Sequence, residues 1–540
     1  MTGLDWSVIA GYLAFLIGLG AYLNRGQLNT HDYFLAGQDM VWWQTGFSTM
    51  ATQLSAVSFI SAPAFVALVD NGGLRWLAYE FAVPLALVVV MAVIIPVLHR
   101  GNYISMHQYL GERFDEGTRL LVSGLFLLMR GLSSGVIVFA GAKVLAAVVA
   151  LSVPEAILLI GIVTIIYDVL GGIGVVILSD VVQMAIIFVG LLYCGYEALG
   201  IIGWTDVVDT FAADRTQIIL MDNYGFNPES SYGFWPFLIG GFVLYVSYYG
   251  CDQSQVQREM SVSDEDGVRK SMLLNAFGRF PLVLVYCFVG LVVGAVFLTA
   301  PEVPASDLTM TTSELTNALK EKPDYMLPYF IVSVLPSGLS GLLIAAIMAA
   351  LMSSLDSAMN SLSAITVQDF YRQYAQSDRS RRHYLNAGRF FTFAWGAFAT
   401  LSALLFHYRG QVKTVIEQIN QVGNMFYGPL AAAFLLGILV PWIRPAGIKL
   451  GIVMGLVVDI AVWQLAPFVS WLWWGPIGLV TSTATAVVVR MARAGPALGE
   501  SDLISFEVFR QQHGWSHWYV VCVVYFFVII AACYGIEVTL

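Results

Sequence analysis

Long apolar runs alternate with short polar loops along the whole chain, a pattern typical of helices that cross a membrane repeatedly. A helix needs ~20 mainly apolar residues to span a bilayer. The apolar residues are contiguous rather than alternating at period two, which excludes a transmembrane β-barrel. We count fourteen such segments, numbered first to fourteenth, at residues 6–23, 43–68, 77–98, 120–150, 154–170, 175–199, 234–252, 275–299, 327–366, 388–406, 420–441, 447–466, 471–491 and 518–537.

The composition agrees with a single membrane unit over residues 1–540. The sequence is 58% hydrophobic and 11% charged, whereas a soluble chain carries about a quarter charged residues. The net charge of −10 argues against nucleic acid as a partner, because nucleic acid requires a basic face. The expected partners are therefore the lipid bilayer and a small-molecule solute, and nothing in the sequence indicates the oligomeric state.

The distribution of basic residues predicts the orientation. If the N-terminus lies outside, the inner loops carry 17 Lys and Arg residues and the outer loops carry 6. Cytoplasmic loops of membrane proteins are enriched in these residues. We therefore expect a multi-pass protein of the cell membrane with both termini on the outer side.

Two segments carry signs of interrupted helices. The second segment is rich in hydroxyl groups between Ser48 and Ser58 and is followed by Pro63. The seventh contains Gly240-Gly241 and ends near Asp252. Transporters often contain broken helices at matching positions of two inverted halves, and the five-segment offset between these two segments indicates such a repeat.

The ninth segment contains a stripe of small and hydroxyl residues. Ala350, Ser353, Ser354 and Ser357 share one helix face, and the carboxylate of Asp356 lies beside them. Such a stripe can be a packing face between helices. A buried carboxylate, however, costs at least ~2.5 kcal/mol unless it meets a cation, a partner or a proton. The pattern therefore favours a site for a hard cation such as Na⁺.

A second carboxylate, Asp180, follows a predicted Gly171-Gly172 turn between the fifth and sixth segments. It lies inside an apolar run, which weakens its interpretation as a helix cap. Asp168 is adjacent to the turn and fits a cap or dipole partner better.

Together these motifs resemble the sodium:solute symporter family from about residue 30 to residue 440. The resemblance rests on motifs that begin at Tyr33-Phe34-Leu35-Ala36-Gly37, Gly171-Gly172, Gln255-Val256-Gln257-Arg258, Ser353-Ser354-Leu355-Asp356-Ser357 and Gly428-Pro429. It implies an all-α membrane protein with the LeuT-type five-plus-five inverted repeat and about 14 transmembrane helices. The expected divisions are an extra first helix and inner loop at 1–41, repeats at 42–200 and 233–441, and three peripheral helices at 442–540.

The resemblance also implies sodium sites. The principal Na⁺ would be bound by carbonyl groups of Ala51, Leu54 and Ala350 and by the hydroxyl groups of Ser353 and Ser354. A possible second Na⁺ would use Asp180, Asp356 and Ser357, together with Ser353. Asp356 departs from the family pattern, which has a hydroxyl group there. It would either strengthen the second site or carry a proton, so one or two coupling ions are expected.

The predicted substrate site matches known members less closely. Glu80, Asp252 and Arg279 align with a Glu, an Asn and a Lys of sugar-transporting members. Arg130 lies on the helix where sialic acid carriers place a carboxylate-binding Arg, although an ion pair with a carboxylate such as Glu80 would also explain it. The candidate substrate-binding residues are Gln53, Ser58, Glu80, Arg130, Asp252, Arg279, Asn420 and Gln421.

The predicted function is secondary active transport without covalent catalysis. Inward movement of Na⁺ would drive uptake of a sugar, a polyol or a small carboxylate by alternating access. The alternatives are a proton-coupled carrier, a membrane sensor without net transport, and an intramembrane enzyme in which Asp180 and Asp356 form a dyad.

Overall fold

A computed structural model describes residues 1–53, 56–149, 151–211, 213–227, 232–299, 318–374, 379–409, 415–492, 506–509 and 516–540. Over these residues the protein is helical, and the β-structure is limited to an isolated parallel bridge between Met40 and Val262. This agrees with the all-α class expected from the apolar pattern.

The α-helices account for nearly all of the described chain. In the first half they are α1 (Gly3–Leu23), α2 (Thr30–Leu35), α3 (Trp42–Gln53), α4 (Ala56–Ala67), α5 (Ala82–Val89), α6 (Ile95–Gly101), α7 (His107–Arg113), α8 (Glu116–Val148), α9 (Val153–Ile201), α10 (Trp204–Thr210) and α11 (Ala213–Thr216). In the second half they are α12 (Gly241–Cys251), α13 (Gln253–Glu259), α14 (Glu265–Thr299), α15 (Met326–Val334), α16 (Leu339–Ile365), α17 (Arg372–Tyr374), α18 (Arg381–Arg409), α19 (Val415–Leu439), α20 (Pro445–Leu465), α21 (Trp474–Ala492) and α22 (Ser516–Thr539).

Shorter helical turns extend several of these helices. The 3₁₀ turns are Asn24–Gly26, Ala36–Gln38, Leu74–Phe81, Pro323–Tyr325 and Trp471–Trp473. The π-helical turns are Val90–Ile94, Pro236–Gly240 and Thr366–Tyr371.

Ten of the described helical stretches are long and apolar enough to cross a membrane, and the bent pair α3–α4 makes eleven. The shorter apolar helices Pro236–Cys251 and Gly423–Leu439 lie at the predicted seventh and eleventh segments. The count of fourteen spans therefore stays a prediction.

The predicted turn at Gly171-Gly172 is confirmed as a break within the long helix α9. Gly172 has φ 59°, a left-handed conformation that glycine adopts at little cost. A methyl group on this residue would lie 2.4 Å from the backbone oxygen of Tyr33. The break thus requires both the freedom and the small size of glycine.

The two predicted interrupted helices also contain breaks. Trp42–Gln53 and Ser58–Ala67 are inclined by 52° to each other. In the seventh segment the helix continues through Gly240-Gly241 and breaks instead at Asp252, which has extended backbone between α12 and α13.

The helix α16 lies at the centre of the bundle, against α1, α8, α9 and α18. Its most apolar window is 94% buried, whereas the corresponding window of α22 is 22% buried. The hydroxyl stripe of the ninth segment is therefore enclosed by other helices, and the last helices are peripheral.

Candidate functional site

The predicted sodium ligands lie where α3 approaches α16. Ala51 lies in the last turn of α3, and Ala350, Ser353 and Ser354 lie within about one turn of one another on α16; all four are buried. Leu54 lies outside the described residues. The hydroxyl group of Ser354 donates to the carbonyl oxygen of Ala350 at 3.3 Å. The serines on α16 thus lie beside helix carbonyl groups, which are the oxygen donors that a hard cation prefers.

Asp180 joins three helices at this level of the bundle. Its Oδ2 accepts a hydrogen bond from Ser48 on α3 at 2.6 Å, and its Oδ1 accepts one from Ser353 on α16 at 2.5 Å. Ser48 is one turn from Ala51, and Ser353 is one turn from Ala350. Asp180 is fully buried, so the structure brings this carboxylate to the predicted sodium ligands and excludes its interpretation as a solvent-exposed helix cap.

A guanidinium group of the Gln255-Val256-Gln257-Arg258 motif also reaches Asp180. Arg258 on α13 is fully buried, and its Nη2 lies 3.4 Å from Asp180 Oδ2. Its Nε donates to Ser48 at 2.8 Å, and its Nη2 donates to the hydroxyl oxygen of Ser357. Arg258 therefore contacts two of the residues predicted to hold a second sodium ion.

Asp356 and Asp168 form the other side of this polar cluster. Asp356 Oδ2 accepts a 2.5 Å hydrogen bond from the Tyr167 hydroxyl group, and its Oδ1 accepts one from Ser357 at 3.2 Å. Asp168 Oδ1 accepts from Asn360 at 3.0 Å, and its Oδ2 has no hydrogen-bond partner. Both carboxylates are fully buried. Asp168 is thus part of the buried cluster, and the prediction that it merely caps the Gly171-Gly172 turn was wrong.

Three buried carboxylates in this cluster therefore face one buried guanidinium group. Of these three carboxylates, only Asp180 lies within ion-pair distance of Arg258. Uncompensated charges are costly in a dry interior. With all three carboxyl groups ionised, the cluster has a deficit of positive charge, which a bound cation or a proton would offset.

Two of the predicted substrate residues pair with each other. Arg279 donates from Nε to Glu80 Oε2, and from Nη2 to Glu80 Oε1 at 3.2 Å. The Arg279 guanidinium also lies 4.7 Å from the ring centre of Tyr245. All three side chains are buried. The partner of Glu80 is therefore Arg279, and the suggested ion pair between Glu80 and Arg130 was wrong.

Arg130 and Asp252 define a second polar group. Arg130 Nη2 donates to the Ser254 hydroxyl group at 3.3 Å, while its buried Nε has no hydrogen-bond partner. Asp252 Oδ1 accepts from the same hydroxyl group at 2.5 Å, and its Oδ2 has no partner. Tyr248 and Tyr427 interact electrostatically with this pair. One donor of Arg130 is thus free to meet an anionic group.

A row of tyrosine rings connects the two polar groups. Tyr79 packs on Tyr245, Tyr245 on Tyr249, Tyr249 on Tyr248, and Tyr248 on Tyr427 of α19, with ring centres 5.2 to 6.3 Å apart. The residues Glu80, Arg279, Arg130 and Asp252, which come from four separate segments, therefore belong to one continuous polar-aromatic region.

The remaining substrate candidates are described incompletely. Ser58 donates to the backbone oxygen of Gln53 at 3.4 Å across the break between α3 and α4. The buried side-chain amide of Gln53 has no hydrogen-bond partner at either atom. Asn420 and Gln421 lie on α19, but their side chains are outside the part of the structure that is described.

Two buried residues of α13 were missed as site residues. Besides Arg258, Glu259 is fully buried and accepts hydrogen bonds from Thr49 at 2.7 Å and Ser271 at 3.1 Å. Both lie within or next to the Gln255-Val256-Gln257-Arg258 motif. That motif contributes to the family resemblance, but its polar residues are typical of a loop and carry no local sign of burial.

The fold and this buried polar cluster define an ion-coupled membrane transporter. Bent helices that enclose hydroxyl and charged groups at the centre of an apolar bundle are characteristic of secondary transporters. The model of the sodium:solute symporter family matches residues 33–455. The chain belongs to the sodium:solute symporter family; it is a Na⁺-coupled transporter and not an enzyme, and Na⁺ is its coupling ion.

Curated relatives cover most of the chain. Human sodium-coupled monocarboxylate transporter 1 is 28% identical over 462 residues, which are 84% of this chain and 72% of that protein. The human sodium/iodide cotransporter is 26% identical over 461 residues, or 84% of this chain and 69% of that protein.

Solved structures share the fold. A Na⁺-coupled sialic acid symporter in a substrate-bound outward-open state aligns with a TM-score of 0.80 at 22% identity, over 91% of this chain and 98% of that one. Mhp1, a nucleobase-cation-symport-1 family transporter in a closed conformation, aligns with a TM-score of 0.52 at 12% identity, over 87% and 97% of the two chains. The structural neighbours are LeuT-fold Na⁺ symporters, which confirms the expected fold class.

Proposed function

We propose that the protein imports a small organic monocarboxylate together with one Na⁺ across the cell membrane. The contact that supports the ion site best is the bridge from Ser48 through Asp180 to Ser353, because it links α3 to α16 beside the predicted sodium ligands. Fourteen spans, the five-plus-five repeat and outward-facing termini complete the proposed topology.

The proposed sodium site consists of oxygen atoms from the last turn of α3, from the residue that follows this helix in the sequence, and from α16. Carbonyl groups of Ala51, Leu54 and Ala350 and the hydroxyl groups of Ser353 and Ser354 would coordinate the ion. An ion that bridges these helices favours the state in which they are close. It can drive transport only because it binds the two states of the carrier with different affinity.

We propose one coupling ion rather than two because Arg258 supplies a positive charge at the alternative site. Its guanidinium group contacts Asp180 and Ser357, which leaves Asp356 and Ser353 as the predicted ligands of the second ion without that contact. A second Na⁺ would have to displace Arg258 or bind beside it.

The proposed substrate is an anion because the polar-aromatic region contains two buried guanidinium donors without hydrogen-bond partners, Arg130 Nε and Arg279 Nη1. A carboxylate is the group that an arginine donor binds best. The monocarboxylate and iodide specificities named for the relatives are also anionic. A sugar is disfavoured, because Glu80 and Arg279 are already paired with each other.

The proposed stoichiometry sets the driving force. One Na⁺ and one monovalent anion carry no net charge, so only the Na⁺ gradient acts, and a tenfold gradient supplies ~1.4 kcal/mol. A neutral solute would also gain ~2.3 kcal/mol from a potential of ~100 mV, enough together for roughly 500-fold accumulation. A two-sodium cycle with an anion would move one net positive charge inward. Current during transport therefore distinguishes the proposed electroneutral cycle from the two alternatives, each of which moves one net positive charge.

The experiment is Na⁺-dependent thermal stabilisation of the purified protein, compared between the wild type and Ser354→Ala. Ser363→Ala is a matched control, because Ser363 is a buried serine of the same helix that donates to Gly388 instead. Small monocarboxylates, sugars and polyols are then added to the Na⁺-loaded protein. We expect a saturable Na⁺ effect that Ser354→Ala loses and Ser363→Ala retains, enhanced by a monocarboxylate.

Other results would change the proposal in defined ways. Stabilisation by a sugar or polyol, together with an inward current, would replace the monocarboxylate by a neutral solute. A ligand effect that follows pH instead of Na⁺ would favour proton coupling through Asp356, which has no basic partner within ion-pair distance among the described residues. Ligand binding without uptake into proteoliposomes would favour a sensor.

A further inference from the structure

One buried carboxyl group lies outside the transport site and has no hydrogen-bond partner. Asp459, on α20, is fully buried, and neither of its oxygens has a partner. The other buried Asp and Glu side chains of the described chain each accept at least one hydrogen bond, as Asp180 and Glu259 do. Asp459 is therefore exceptional in the region of the molecule that the structure describes.

Asp459 lies within the membrane part of α20. It is fourteen residues after Pro445 and six before Leu465, which places it about 9 Å from the nearer helix end at 1.5 Å per residue. An intramembrane ionisable residue is a functional candidate by default, because charge is costly at this depth.

The carboxyl group is enclosed by a tight seam between α20 and α21. A methyl group on Gly478 would lie 2.2 Å from Asp459 Oδ2 and 2.7 Å from the ring of Pro429 on α19. A methyl group on Gly455 would lie 2.2 Å from the hydroxyl oxygen of Ser482. The glycines thus create the space that the carboxyl and hydroxyl groups occupy.

Ser482 of α21 lies across this seam from Asp459, and the two side chains are not hydrogen-bonded to each other. Ser482 is fully buried, and its hydroxyl group has no partner. Asp459 follows Gly455 by one turn on α20, as Ser482 follows Gly478 on α21. Side chains lean toward the N-terminus of their own helix, so Asp459 leans toward Gly455 and Ser482 leans toward Gly478. Because Ser482 covers Gly455 and Asp459 covers Gly478, the two side chains lean toward each other.

The described elements packed on this seam present no charged side chain to Asp459. From α21, Gly478 lies against Asp459, with Pro429 of α19 beside it, and Ser482 lies against Gly455 one turn along α20. The nearby face of α8 is apolar, with Phe126 and Met129 beside α20. Arg130 on α8 turns instead toward Ser254. Nothing in these surroundings compensates an ionised carboxylate.

We propose that Asp459 is a proton-binding site, in which the neutral carboxyl group pairs with the Ser482 hydroxyl group inside the α20–α21 seam. Loss of the proton leaves an uncompensated carboxylate against Gly478 and Pro429 and opens the seam. Because Pro429 is two residues from Tyr427, this movement transmits the protonation state to the polar-aromatic region.

Infrared spectroscopy of the full-length protein in lipid tests the proposal directly. At neutral pH, Asp459→Asn should remove one carboxylic acid band, because the residue is protonated. Asp222→Asn, a control at an exposed aspartate, should remove a carboxylate band instead. Loss of a carboxylate band in Asp459→Asn would overturn the proposal, and dependence of that band on Na⁺ would identify a metal-ion site in its place.

A second variant tests the pairing even if Asp459→Asn does not fold. Ser482→Ala should shift the carboxylic acid band, because it removes the proposed partner, and an unshifted band would refute the pairing. In stability measurements, the folded-to-unfolded ratio of the wild type is compared with that of Asp459→Asn. As pH rises, the wild-type ratio should fall relative to that of the variant by up to tenfold per pH unit, because unfolding of the wild type releases one proton. Parallel pH profiles of the two proteins would contradict a proton held only in the folded state.

Discussion

Replacing Arg258 by glutamine should destabilise the protein mainly through the charge that it leaves behind on Asp180. The guanidinium group is the positive partner of that fully buried carboxylate at 3.4 Å. It also holds Ser48 and Ser357 on two other helices. The substitution keeps a polar side chain of similar length but removes the charge, so its main electrostatic effect falls on Asp180.

The expected magnitude follows from the burial of the pair. Removing one partner of a buried ion pair costs about 3–5 kcal/mol, because the other charge stays uncompensated. Arg258→Gln should therefore lose about this much of its free energy of unfolding in Na⁺-free buffer. The double variant Arg258→Gln/Asp180→Asn should recover part of it, with a coupling energy of about 0.5–3 kcal/mol.

Sodium should rescue the single variant, because Na⁺ can then occupy the position of the guanidinium group beside Asp180. An ion at 100 times its dissociation constant stabilises the folded state by ~2.7 kcal/mol. We therefore expect a larger Na⁺ effect in Arg258→Gln than in the wild type, and a steeper dependence on Na⁺ concentration as a second ion binds.

The assay is equilibrium unfolding in mixed micelles at several Na⁺ concentrations, with Arg100→Gln as the control at an exposed arginine. Additive losses in the double variant would refute the direct coupling of Arg258 to Asp180. If the wild type and Arg258→Gln respond equally to Na⁺, the idea that the guanidinium group takes the place of a second ion is refuted.

Three further outcomes are expected. Glu80→Gln should destabilise the protein by about 3–5 kcal/mol, because Arg279 loses its buried partner; thermal unfolding that matches the wild type would show that the pair is not formed in solution. Arg130→Gln should weaken carboxylate binding by about 1.5–3 kcal/mol, or roughly 10- to 150-fold, as measured by ligand titration of the Na⁺-loaded protein, and unchanged affinity would remove Arg130 from the proposed site. Gly172→Ala should cost at least about 1–3 kcal/mol in stability, because its φ of 59° and the nearby Tyr33 oxygen disfavour a side chain; a neutral effect in thermal unfolding would mean that the break in α9 tolerates a methyl group.

Much of the architecture was predictable because membranes impose local rules. Each span must be long and apolar within itself, so continuous windows of sequence reveal it. The turn at Gly171-Gly172 and the break between α3 and α4 are also local, because they depend on glycine or on hydroxyl residues at the break. The hydroxyl stripe of α16 follows from helical periodicity alone.

The pairing of buried charges was not predictable in the same way. Arg258 and Asp180 are separated by 78 residues, and Arg279 and Glu80 by 199. Neither pair has a local pattern that specifies the partner. Arg130 illustrates the consequence, since the sequence suggested Glu80 beside it and the structure places it at Ser254 and Asp252.

The sequence by itself therefore determined the membrane class, the family and the helices that carry the proposed sodium ligands, because these depend on hydrophobic length, periodicity and motif spacing. Tertiary structure alone decided that Arg258 is buried against Asp180 and that Asp459 is enclosed without a partner. The physical reason is that the charge balance of an apolar interior depends on which side chains meet across helices, and no single helix contains that information.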